Sequence, residues 1–96
     1  MEKLIISEQD IINAICVYHS RNEHLNIEDV EVELMYDDDK GFTAEAFVGG
    51  QKQVLVTVHL IKALRIWIDE FLNGDPFAAG IELRVHENEG IIAVIH

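Results

Sequence analysis

The sequence is short of cations. Its 96 residues hold seven Lys and Arg against 18 Asp and Glu, a formal net charge of -11. That excludes duplex nucleic acid as the default partner, because phosphate contacts require clustered bases. It also argues against docking on anionic lipid. One cysteine, Cys16, leaves no internal disulfide. A short chain without a cysteine framework fits a reducing compartment, so a cytoplasmic location is expected. No uninterrupted apolar run exceeds five residues, far below the roughly 20 that a membrane helix needs. The opening MEKLIISEQD has three apolar residues in a row, too few for a secretory leader, and is expected to be the native start. With one Pro and six Gly, all at expected turns, there is no linker or repeat, and residues 1–96 read as a single domain.

What is present is globular: 49% hydrophobic and 26% charged residues. Ser7 followed by Asp10 resembles a helix N-cap. Ile11, Ile12, Ile15, Cys16 and His19 then recur at helical spacing, which predicts a helix over residues 7–21. Residues 22–29 are polar and read as a loop. From Val30 the period becomes two, with Val32, Leu34 and Tyr36 on one face. A loop of Asp39, Lys40 and Gly41 would pair Leu34 with Ala46 and Tyr36 with Ala44. At Gly49-Gly50 two signals conflict. A two-residue turn would pair Val48 with Gln51, whereas burying Val54, Val56 and Val58 needs a longer loop or a bulge. Burial decides the expectation, since an inward Gln53 would need partners. Leu60, Leu64, Trp67, Ile68 and Phe71 predict a second helix over residues 58–73, with Gly74 just past its end and Pro76 as a stop. Ile81, Leu83 and Val85 alternate, Asn88-Glu89-Gly90 turns, and the last strand is apolar at every position. That hairpin would face Glu82 to His96, Arg84 to Val94 and His86 to Ile92.

The expected fold is α+β in the order α-β-β-β-α-β-β: a two-layer sandwich with a five-stranded, mainly antiparallel sheet and both helices on one face. The all-apolar last strand takes a central place in the spatial order 3-2-1-5-4. A parallel crossover from the third strand to the fourth is the alternative.

The segments EKLIISEQDIINAIC, VEVELMYDDDKGFTAEAFV and DPFAAGIEL, with the EGIIA ending, together run over nearly the whole chain. In these the chain resembles the YxcD family of small bacillar proteins. That is a family without an assigned activity, so the resemblance implies a bacterial, cytoplasmic origin and brings no site residues.

Candidate chemistry is sparse. Residues 28–45 carry eight acids and one base, which read as a solvated sheet face. Asp37-Asp38-Asp39 fails the calcium-loop spacing, since position 5 would be Gly41 and position 12 Val48. His19, His24, His59, His86 and His96 make no HxH or HExxH pattern, so no metal site and no cofactor are expected. Cys16 and His19 share a helix face and read as a buried thiol and a helix-end histidine.

The function expected from these features is non-enzymatic: protein–protein contact, with a homodimer formed through the sheet face that the helices cannot reach. Met35, Phe47, Leu55, Ile92 and Val94 place apolar surplus there, and with Arg84 and His86 they are the expected interface. Two alternatives stand beside it. One is a small enzyme using a Glu/His acid–base pair in a helix–sheet cleft; the other is an acidic mimic of nucleic acid.

Overall fold

A computed structural model describes residues 4–75 and 80–96. Its described elements are β1 (Leu4–Ile6), α1 (Glu8–Asn22), β2 (Glu31–Asp37), β3 (Gly41–Val48), β4 (Gln51–Leu55), α2 (Thr57–Phe71), β5 (Ile81–His86) and β6 (Gly90–Ile95), with a 3-10 turn at Ile27–Asp29. The α+β class holds. The sheet does not: the strands form two antiparallel sheets of three, in the orders β1-β6-β5 and β2-β3-β4.

The division has a simple cause. A strand has two edges, and β6 has filled both. Leu4, Ile5 and Ile6 pair with Ile95, Val94 and Ala93 on one side, and β5 pairs on the other. The expected partner of β6 was β2, which is left as an edge of the second sheet. The three-residue run Leu4–Ile6 is the strand that the sequence reading missed. Backbone pairing, not length, makes it one.

Both helices and both sheets feed one core. Ile11, Ala14 and Ile15 of α1 and Leu60, Ala63, Leu64 and Ile68 of α2 meet Ile6, Ile91, Ala93 and Ile95 of the first sheet. The second sheet adds Ala44, Ala46 and Leu55. The small side chains of Ala44 and Ala46, both fully buried, let the helices approach β3 closely. Leu55, expected on the outer face, is therefore a core residue.

Helix α1 starts where Ser7 predicts, with the Ser7 hydroxyl accepting the Asp10 N–H at 3.2 Å. Helix α2 has no such side-chain acceptor at its N-cap, Val56. Instead His59 Nδ1 accepts the Val56 N–H at 3.1 Å. At the far end the left-handed residue is Asn73 (φ 53), not Gly74. Gly74 is needed for closeness: its N–H bonds the Ile68 carbonyl at 2.9 Å, and an added Cβ would stand 2.8 Å from Ile68 Cγ2. Pro76, expected as the stop, lies outside the described residues.

The hairpins correct three registers. Gly49 and Gly50 both take positive φ, 56° and 82°, and form the tight two-residue turn that pairs Val48 with Gln51. The glycine pair supplies two left-handed residues at no steric cost, which outweighs the pull to bury Val54, Val56 and Val58. All three valines are about half exposed, at 52%, 46% and 55%. In the other two hairpins the glycine is the first residue of the returning strand. Asp37 pairs with Gly41 and His86 with Gly90. Each register is thus two residues from expectation: Leu34 faces Ala44, Tyr36 faces Phe42, Glu82 faces Val94 and Arg84 faces Ile92. A shift of two leaves every side chain on its expected face.

Candidate functional site

The register of β2, β3 and β4 assigns the side of the second sheet that faces away from the helices. Three cross-strand rows lie there: Glu31, Phe47 and Lys52; Glu33, Glu45 and Val54; Met35 and Thr43. Glu33 directly opposes Glu45, a like-charge pair that weakens a sheet. Lys52 offsets it by bonding Glu45 Oε2 at 3.0 Å. Around that ion pair lies an open depression of about 800 Å³, lined chiefly by Met35, Tyr36, Thr43, Glu45, Val54 and Val56. Asp37, Lys40 and Lys52 also line it. Asp37 Oδ1 accepts the N–H groups of Asp39 (2.7 Å) and Lys40 (3.3 Å). The aspartate run is therefore the scaffold of a tight turn.

The seven residues expected to form one interface fall into three places. Met35 and Phe47 lie on this face, half-buried. Leu55 is in the core. Arg84, His86, Ile92 and Val94 belong to the first sheet, so the seven do not make a continuous surface. Ile92 and Val94, expected to be exposed, are 6% and 3% accessible. As residues of a central strand they are flanked, Ile92 by Arg84 and Val94 by Ile5 and Glu82. Arg84 is exposed and turned along its own strand, its Nε donating to Glu82 Oε1 at 2.6 Å. His86 is also exposed and accepts the Asn88 N–H at 3.2 Å, which braces the β5–β6 turn. His96 sits at the opposite end of that hairpin, 4.0 Å from Glu82, so His86 and His96 are not neighbours. Sequence reasoning missed Val54 and Val56. The signal was the Gly49-Gly50 pair itself, which fixes their outward direction.

The remaining titratable groups behave as their surroundings dictate. Burial pushes the Cys16 thiol up, and its S–H contacts the Val30 carbonyl at 3.7 Å. Arg21 and Glu70 form a two-pronged ion pair between the helices, Nη2 donating to Oε1 at 2.8 Å. That bond raises the guanidinium and lowers the Glu70 carboxyl. Among the described residues no group of three or more His, Cys, Asp or Glu is arranged to hold a metal ion. No helix of the described residues is long and apolar enough to cross a membrane.

No solved structure matches the chain. The chain is 35% identical over 94 residues to the uncharacterized protein YxcD of Bacillus subtilis (strain 168), an alignment spanning 97% of this chain and 92% of that one. The family described as protein of unknown function (DUF2653) matches residues 1–88. Over nine-tenths of its length, then, this chain belongs to the DUF2653 family.

Proposed function

We propose that this protein is a non-enzymatic, cytoplasmic bacterial protein that works through protein–protein contact, as a homodimer joined across the outer face of β2–β4. One observation carries the reading. Met35, Phe47, Val54 and Val56 put apolar surface on a sheet face that neither helix covers, with Glu31, Glu33, Glu45 and Lys52 set among them. A non-obligate interface is only about as apolar as the rest of a protein surface, and this mixture of apolar and charged groups suits one. The face bears both signs, Lys40 and the Lys52–Glu45 pair beside Asp37, Glu31 and Glu33. A two-fold axis can therefore set cation against anion across the contact. A face three strands wide is small beside the roughly 800 Å² per partner of a standard interface, so the dimer is expected to dissociate on dilution.

Sedimentation equilibrium over a wide concentration range tests this. Wild type should show a reversible monomer–dimer equilibrium, and Val54→Asp should be a folded monomer at every concentration. A wild type that stays monomeric at millimolar concentration, or a dimer that survives Val54→Asp, rules the reading out.

A further inference from the structure

On the opposite side of the second sheet, the C-terminal end of α1 and the β3–β4 hairpin leave a half-open hollow of about 340 Å³. Leu25, Ala46 and Val48 give it apolar walls, and Glu23, Gln51 and Gln53 are its polar lining beside His19. His19 is 4% exposed. None of the hydrogen bonds among the described residues reaches its imidazole nitrogens. No side-chain nitrogen or oxygen among them is both sealed and unpaired, so the ring's polar edge must keep access to the hollow. A buried polar group is costly unless something bonds it. For His19 the partner is water or a ligand group that enters the hollow.

The chemistry of the lining narrows the occupant. Lys52 borders the hollow, but its ammonium is held by Glu45 at 3.0 Å, and the register puts both on the other face of the sheet. The groups left are an imidazole, a carboxylate and two carboxamides. A neutral imidazole nitrogen, a carboxylate and the carboxamide oxygens all accept hydrogen bonds. The net charge of -11 concentrates cations around the molecule. The volume lies at the small end of ligand pockets, about 300–1,000 Å³, and is far larger than a bare ion needs. His19 and Glu23 alone also fall short of a zinc ligand set.

We infer that this hollow binds a small aliphatic ammonium group. Its N–H donors bond the His19 imidazole and the Glu23 carboxylate, and its alkyl stem lies against Leu25, Ala46 and Val48. The ammonium can belong to a free amine or to a lysine side chain.

Titration of the full chain with n-butylamine, followed by NMR of the His19 ring and the Gln51–Gln53 amides, tests it. Butylamine should bind saturably, with butanol and butyrate at least about tenfold weaker. Glu23→Gln is a surface change that keeps the fold, and it should weaken butylamine by about tenfold, the range of a charge-assisted hydrogen bond. Val48→Phe should fill the hollow and abolish binding. A doubly blocked lysine tripeptide that binds like butylamine assigns a side-chain source; one that fails while butylamine binds assigns a free amine. The inference is overturned if butyrate binds as well as butylamine, if Glu23→Gln leaves the affinity unchanged, or if zinc chloride perturbs these resonances and butylamine does not.

Discussion

Leu64 and Trp67 stand three residues apart on α2 and meet different surroundings. Leu64 is fully buried, whereas Trp67 is half-buried and stacked on the exposed Phe71 ring, 4.3 Å between centroids. Leu64→Ala should therefore cost about 2–5 kcal/mol, the range for emptying a closed apolar site. That is a large share of the roughly 5–15 kcal/mol that holds a small domain. Trp67→Ala should cost less than Leu64→Ala despite its size, and urea unfolding of the two variants checks the order. Cys16 gives a second residue-scale expectation. Its thiol is raised by burial, so its contribution to stability is present below the ordinary thiol pKa and is lost as pH rises through the higher folded value. Stability should fall at alkaline pH in wild type and fall less in Cys16→Ala. Alkylation by iodoacetamide at pH 8 should be much slower in the folded protein than in urea, because the thiolate is the nucleophile.

At the scale of elements, one contact ties the first turn of α1 to the last hairpin. Glu8 Oε2 accepts the Ile91 N–H at 3.1 Å, and it can do so because residue 90 has no side chain. A Cβ on Gly90 would fall 1.8 Å from that oxygen, whereas one on Gly49 would meet nothing within 4 Å. Both glycines have positive φ. Gly49→Ala should cost about 1–2 kcal/mol for the left-handed backbone alone. Gly90→Ala should add about 1.5–3 kcal/mol for the lost bond to a charged acceptor. That excess should vanish in a Glu8→Ala background, as a double-mutant cycle in urea would show. The Arg21–Glu70 pair also joins elements, α1 to α2. Because the Glu70 carboxyl is lowered, its stabilisation is present above the ordinary carboxylate value and lost as pH falls through the lowered one. Both groups are exposed, so Glu70→Gln should shift the melting temperature slightly, and less at high salt.

For the whole molecule, charge and shape act together. The chain measures 43 × 30 × 21 Å and carries a net charge of -11, so two copies repel on approach. Salt should strengthen dimer formation by screening that repulsion over a Debye length of about 8 Å at physiological ionic strength. Sedimentation equilibrium at 50 and 500 mM salt reads the effect. An aspartate at position 94 should act differently from one at position 54. Val94 is sealed inside the first sheet, so Val94→Asp buries an unpaired charge and should unfold the protein. Val54→Asp should leave the circular dichroism spectrum of the folded state intact.

Local chemistry was legible in the sequence. The helical stripes of Ile11 and Ile15 and of Leu60, Leu64 and Ile68, the Ser7 cap, the period-two strands and the all-apolar central strand β6 are written in residue spacing, because each reflects a repeat of one backbone geometry. The faces of both three-residue-loop hairpins were legible too, since a slip of two residues preserves alternation. Pairing between distant strands was not. Leu4–Ile6 is too short to announce itself, yet by taking the free edge of β6 it divides the strands into two sheets. The hollow at His19 was equally hidden. Its lining comes from α1, the segment after it, and the β3–β4 hairpin. Only the Gly49-Gly50 turn, resolved against the burial of three valines, brings Gln51 and Gln53 to that histidine. Where local turn geometry and burial disagree, the packing of the whole chain settles which one yields.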